Sequence, residues 1–381
     1  MQAVPSMPEA KKPRKDAGRK GASSGARPAA RKGNGKPAGK TVNLALQGGG
    51  SHGGFTWGVL DALLEDGRLR FEGASGTSAG AMNAAVLAHG LARAHEDGLK
   101  DADARQAARE ALTRFWEGVG VMGAFTSGLP LAGAQLMGAW LSAWVSPYHA
   151  NPFGLNPLRQ LLAREIDFEL LARQQAMKVF VTATNIRTGR GEVFSGDRLS
   201  ADAVMASAAL PSVFKAVQID GEYYWDGGYS GNPAIYPLIY ETRCADVVLV
   251  QINPIESPYT PGASAADIME RVNEITFNAP LLAEFRAIEF VSRLLAEGRL
   301  DPKRYKNVLL HRVDGGSALA EFGAASKSRA DVAFLHRLFK LGREAGQRWL
   351  QTHFDDVGVC SSVEQLRPSN ARSTVSRQTE P

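Results

Sequence analysis

Three short stretches hold residue types that can do chemistry together. The first is "QGGGSHGG" at 47–54, where Gly48, Gly50 and Gly53 satisfy G-x-G-x-x-G. Backbone N–H groups on such a turn can hold a negative charge, either a dinucleotide pyrophosphate or the oxyanion of an ester under attack. The second is Gly76-Thr77-Ser78-Ala79-Gly80, a G-x-S-x-G placed between a strand pattern and a helix pattern. An elbow of that kind lifts a serine hydroxyl clear of a sheet and sets it beside the positive end of a helix. The third lies in "GEYYWDGGYSGNPA", where Asp226 precedes Gly227 and Gly228 and follows Tyr223, Tyr224 and Trp225. A carboxylate on a tight turn beside aromatic bulk can be partly desolvated and can act as a base.

Each stretch has a plainer reading. Ser78 could only cap a helix. Asp226 could only close a turn. The glycine turn could be a nucleotide loop, with Glu72 at a tolerable distance to hold a ribose. A Ser-His-Asp enzyme would need a late histidine, and the candidates are His311, His336 and His353. His311 follows a strand and stays open. His336 lies within an amphipathic helix and His353 at its end, and none sits in a glycine-rich loop. Asn43, Asn83 and Asn232 could polarise a site, although ordinary hydrogen bonding is the stronger expectation for each.

The elements that must position these residues alternate. "TVNLALQ" (41–47) reads as a buried strand, and "GFTWGVLDALLEDG" as a helix stopped by Gly67. "RLRFEGAS" is a second strand, "AGAMNAAVLAHGLARA" a small-residue helix and "DARQAAREALTRFWEGV" another helix. "LNPLRQLLAREI" is a short helix with Pro157 in its first turn. "MKVFVTATNI", "ADVVLVQINP" and "NVLLHRV" are further strands, 264–298 is largely helical, and 331–352 is a last amphipathic helix. Strands alternating with helices predict a mostly parallel sheet covered on both faces.

Composition bounds the rest. Residues 1–40 carry eleven Lys/Arg against Glu9 and Asp16, so the net charge of +5 arises from a basic tail on a mildly acidic body. That tail has few large apolar side chains and is expected to be disordered. Residues 118–158 contain no Asp, Glu, Lys or Arg; they read as core, with lipid contact through Trp140 and Trp144 as the alternative. Cys244 and Cys360 support neither a disulfide framework nor a zinc site. No signal peptide or 18-residue apolar run is visible, so a cytoplasmic protein, peripheral at most to a membrane or granule surface, is expected.

The chain resembles the patatin-like phospholipases. The resemblance rests on three ordered blocks: Gly48-Gly49-Gly50-Ser51-His52-Gly53, the Gly76–Gly80 elbow, and Asp226-Gly227-Gly228. It is strengthened by "ASAALPSVFKAVQIDGEYYWDGG", and it covers roughly 41–352. It implies an α/β fold, a three-layer α/β/α sandwich with a mostly parallel central sheet. It also implies a catalytic domain over 41–352, with a C-terminal polar tail over 353–381. Ser78 is then the nucleophile, Asp226 its base, and Gly48, Gly49 and Gly50 the oxyanion hole; Gly53, Gly76, Gly80, Gly227 and Gly228 are motif glycines. His52 stands where the family usually has Arg or Lys and is a helper candidate. The implied activity is serine hydrolysis of a lipid acyl ester, as a phospholipase A or lysophospholipase, with no metal or cofactor. The partners expected are a lipid or other acyl-ester substrate and an anionic membrane or polyanion met through 1–40, with no specific nucleic acid. Three alternatives stand beside it: an esterase or thioesterase acting on a non-phospholipid ester such as a storage polyester, a non-catalytic protein that binds a granule or an anion, and a nucleotide-binding oxidoreductase.

Overall fold

The computed structural model describes residues 39–127, 156–174, 176–211, 213–256 and 265–363. These residues belong to one compact unit. The first strand, β1 (Lys40–Leu46), leads through the glycine turn into α1 (Gly53–Asp66). That helix ends where Gly67 adopts φ +72°, a left-handed cap that glycine enters without steric cost. Next come β2 (Leu69–Gly76), α2 (Ala79–Glu96) and α3 (Asp101–Ser127). After 128–155, which lie outside the described residues, α4 (Pro157–Glu165) starts with Asn156 accepting from the Arg159 N–H and Pro157 in its first turn.

The chain continues through α5 (Phe168–Arg173), β3 (Lys178–Asn185), β4 (Gly191–Phe194), α6 (Ala201–Ser207), β5 (Val217–Ile219) and β6 (Glu222–Asp226). It closes with α7 (Tyr236–Glu241), β7 (Asp246–Gln251), α8 (Ala265–Ala296), β8 (Leu309–Asp314), α9 (Gly316–Ala320) and α10 (Val332–His353).

One sheet runs in the order β5-β6-β3-β2-β1-β7-β8, with β4 also paired to β3. Strands β3, β2, β1, β7 and β8 are mutually parallel, and β4, β5 and β6 add an antiparallel margin. The central strands β1 and β7 carry near-continuous apolar runs because both of their faces are covered. Alternation along β1 and β7 divides the side chains. Val42, Leu44, Leu46, Val248 and Val250 pack with α1, α2 and α10, while Ala45, Val247 and Leu249 pack with α7 and α8. The result is three layers, helix over sheet over helix, as the sequence predicts.

The tightest helix pair is α1 on α10. A Cβ on Gly58 would strike the Phe339 carbonyl, and one on Gly342 the Phe55 carbonyl, so glycine lets the two backbones meet.

Two boundaries move. Lys40 opens β1, and its Nζ donates to the Phe354 and Val357 carbonyls at 2.9 and 2.8 Å, so it belongs to the body and not to the tail. At the other end, Phe354 and Val357 are buried in the main core, and the Ser362 N–H donates to the Leu310 carbonyl. Residues 353–363 are therefore part of the folded body, because their apolar side chains complete the layer that α10 begins.

Candidate active site

The sheet brings Ser78 and Asp226 to one level. Gly76 on β2 faces Val181 on β3, and Asp226 at the end of β6 faces Ala183 on the same strand. Ser78, two residues beyond Gly76, thus reaches the height of Asp226. The elbow is tight. A Cβ on Gly76 would strike the Gly80 carbonyl, and one on Gly80 the Leu46 carbonyl, so both positions require glycine. Ser78 itself has φ +54°, a conformation that costs a non-glycine residue about 1–3 kcal/mol. Its side chain makes no capping hydrogen bond to α2, although it occupies the N-cap position. The helix-cap reading therefore fails on geometry.

The strained backbone is held from two sides. The Ser78 N–H donates to Ser207 Oγ at 2.9 Å, and Thr77 Oγ1 donates to the Gly231 carbonyl at 2.7 Å. The Asp226 N–H donates to the Ala209 carbonyl, and its own carbonyl accepts from Thr184 Oγ1 at 2.8 Å. The "ASAALP" stretch thus fixes the backbone of both residues.

The Asp226 carboxylate is 1% exposed. Its Oδ1 accepts from the Gly228 N–H at 2.7 Å, which is the turn-closing role expected of any Asp in this position. Its Oδ2 is buried and has no well-aligned hydrogen-bond donor among the described residues. Burial pushes the carboxyl up from 3.8 to about 7, while the Gly228 N–H and the adjacent Ser78 hydroxyl draw it part of the way back. A buried carboxylate oxygen with no firm partner, beside a serine hydroxyl, is poised to take up a proton.

The three turn glycines do different things. The Gly48 N–H donates to Asn232 Oδ1 at 2.7 Å, so it is already engaged. Gly48 instead permits close approach, because a Cβ there would lie 2.8 Å from the Ser78 Cβ. Gly50 takes φ +58°, and no hydrogen bond engages the N–H of Gly49 or Gly50 among the described residues. Asn232 also accepts from Gln47 Nε2 through its backbone carbonyl at 3.3 Å, which ties the turn to the loop after Asp226.

His52 faces away from this chemistry. It is 3% exposed, its Nε2 lies 2.7 Å from Ser326 Oγ, and its ring packs near Phe322 and Phe334. Burial, helped by Lys327, pushes it down to about 4, so it is neutral at pH 7. The late histidines are elsewhere. His311 lies within β8, not after it, and pairs with Asp246 Oδ1 at 2.9 Å at the start of β7, the end of the sheet away from Ser78. His336 sits 3.7 Å from Glu117, and His353 2.8 Å from Asp356.

Asn43 donates to Thr242 Oγ1, and Asn83 to the Gly53 and Ala79 carbonyls, so both are structural. No cluster among the described residues could hold a metal ion, and no helix among them is long and apolar enough to cross a membrane. Ser207 and Asn232 hold the backbone of Ser78 and Gly48; the sequence offers Asn232 as a candidate to polarise the site but not its partner, and gives Ser207 no role.

A glycine turn, a strained serine elbow and a buried aspartate thus meet at one end of an α/β sheet. The family model described as patatin-like phospholipase matches residues 44–239, and this chain belongs to the patatin-like phospholipase family, whose members are lipid hydrolases. Among solved structures, the chain is similar to VipD from Legionella pneumophila, at 16% identity and a TM-score of 0.34 over 83% of this chain and 67% of that one. It is also similar to full-length ExoU, solved with SpcU, from the type III secretion system of Pseudomonas aeruginosa, at 15% identity and a TM-score of 0.28. That match covers 79% of this chain, which spans about half of the ExoU structure, 53%. No curated protein matches the chain.

Proposed function

We propose that this chain cleaves lipid acyl esters with a Ser78–Asp226 dyad. Ser78 Oγ attacks the ester carbonyl while Asp226 Oδ2 takes its proton. The tetrahedral oxyanion is held by the N–H groups of Gly49 and Gly50, with the N-terminus of α2 adding favourable dipole. Gly48 serves by its missing side chain, and His52 by packing beneath the turn. Collapse expels the alcohol, which carries away the proton from Asp226. Water then attacks the acyl-serine, again giving its proton to Asp226, which passes it to Ser78 Oγ as the acyl–serine bond breaks and the fatty acid leaves. No step calls for a histidine.

The observation that carries this reading is the buried, poorly partnered Oδ2 of Asp226 beside a serine held at positive φ. A fluorophosphonate probe tests it: the label is expected on Ser78 and is lost in Ser78→Ala. A folded wild-type protein that takes no label there would overturn the proposal. A release assay over phospholipid, lysophospholipid, storage-polyester and thioester substrates then fixes the acyl donor, since one dyad serves them all. We place a phospholipid or lysophospholipid first, on the strength of the family.

A further inference from the structure

We infer that α8 docks the enzyme onto an anionic phospholipid surface; the inference rests on the proposed lipid hydrolase and says how it meets its substrate. A surface helix buries one apolar stripe and turns a polar face to water. In α8 the buried stripe is present: Asn278, Leu281, Phe285 and Ile288 face the sheet. Its outer face is apolar as well. Ile268, Met269, Val272 and Ile275 are 50%, 60%, 48% and 55% exposed, an unusual concentration for a helix already anchored in a core.

The outer face continues along the helix. Residues 268, 272, 275, 279, 282, 286, 290 and 293 recur at helical spacing and read Ile, Val, Ile, Ala, Leu, Arg, Phe, Arg. The charges in this series are both positive. Arg286 and Arg293 are exposed and form no ion pair among the described residues, and Arg293 lies over the ring of the half-exposed Phe290. Apolar side chains followed by unpaired arginines match the acyl region and the headgroups of an anionic bilayer.

The helix is also joined to the catalytic turn. Phe277 packs edge-on against Tyr229 with ring centroids 5.0 Å apart, and a Cβ on Gly228 would meet the Phe277 ring at 2.7 Å. Asn278 Oδ1 lies 3.5 Å from Gln47 Nε2, beside the glycine turn. Docking of the 268–275 face would therefore bring lipid within one or two helical turns of the residues that abut Asp226.

The full-length protein tests this with vesicles of phosphatidylcholine alone and with one-quarter phosphatidylglycerol. Ile268→Asp/Ile275→Asp should lower vesicle partitioning and vesicle hydrolysis by about tenfold or more, and the loss should persist at high salt, where the basic tail is screened. Arg286→Glu/Arg293→Glu should lower the preference for phosphatidylglycerol below that of the wild type, the basic tail supplying the part that remains. In both variants, turnover of a soluble short-chain ester, melting temperature and molecular mass in solution should stay as in the wild type. Unchanged partitioning overturns the inference. So does a fall in melting temperature, which would show the face covered by this chain, or a fall in mass, which would show it covered by a second copy. Absence of all ester hydrolysis, with partitioning still lost in the variants, would instead strike the proposed activity.

Discussion

Asp226→Asn separates the chemical role of the carboxylate from its structural cost. The variant keeps an oxygen for the Gly228 N–H but has no basic oxygen for Ser78, so acyl release should fall by about 10²–10⁴-fold. The same change should stabilise the protein, and by an amount that depends on pH. The Asp226 carboxyl is moved from 3.8 to about 7, mainly by burial. A carboxyl whose folded pKa is raised binds its proton more tightly in the folded state. Its stabilising contribution is therefore fully present below about pH 4 and is lost as pH rises through 7.

At about 1.4 kcal/mol per pH unit, forcing the buried group to ionise costs roughly 4 kcal/mol at pH 8, of which about 2–3 kcal/mol is incurred between pH 5 and pH 8. The asparagine variant escapes that cost. Its melting temperature should exceed the wild type's by roughly 3–5 °C more at pH 8 than at pH 5. Glu284, also pushed up to about 7 by burial, tilts the wild-type curve in the same direction. It is present in both proteins, so the difference between them isolates Asp226. Scanning calorimetry across pH, paired with a soluble-ester assay, gives both readouts. A difference that does not change with pH, or activity within tenfold of wild type, would refute the assignment.

The pH–rate profile should follow the same group: kcat/KM should rise toward pH 7 and level above it, and a profile flat from pH 5 to 8 would count against Asp226 as base. His52→Arg should lower both melting temperature and activity, because it buries a cation near Lys327 and among Phe322 and Phe334, whereas His52→Gln should keep most of both; calorimetry and the ester assay check it. Asn232→Ala should cut kcat by about 10–100-fold with little change in KM, by freeing the Gly48 N–H and loosening the turn. Deleting residues 1–39, which spares Lys40, should weaken low-salt binding to anionic vesicles and leave soluble-ester turnover unchanged, as co-sedimentation against salt will show.

The elements with the strongest apolar pattern are legible in the sequence: β1, α1, α2 and α10 fall within a residue or two of their expected spans, and β7 ends three residues before its expected end. Burial on both faces makes the parallel strands nearly continuous in Val, Leu and Ala, and Gly67 marks its helix end by a conformation other residues avoid. The antiparallel margin is not legible. β5 has three residues, and β6 is the aromatic stretch "EYYWD", so neither offers a period long enough to count. The pairing of β6 with β3 is what places Asp226 opposite the serine elbow. The bonds that Ser207 and Asn232 make escape a sequence reading for the same reason, since they reach Ser78 and Gly48 across 129 and 184 residues. His311 lies in a strand that the sequence shows, but its pairing with Asp246, at the end of the sheet away from Ser78, depends on the β7–β8 register, which local pattern does not encode.

In the proposed mechanism the glycine turn stabilises the oxyanion without help from the charge of a basic side chain. His52 is neutral at pH 7 and turned onto Ser326, while Lys327 is paired with Glu274 at 3.1 Å. The positive groups left to face an oxyanion in that mechanism are backbone: two N–H groups on the turn and the first turn of α2. Peptide dipoles fixed by the fold need no reorganisation as an oxyanion forms, and in a buried site they are not screened by added salt. The same economy explains the density of glycine. A side chain at 48, 76, 80 or 227 would collide with the backbone that presents these groups or with the strand beside it. The turn therefore constrains the sequence through space and backbone angle more than through charge, and this is why a histidine can stand at position 52.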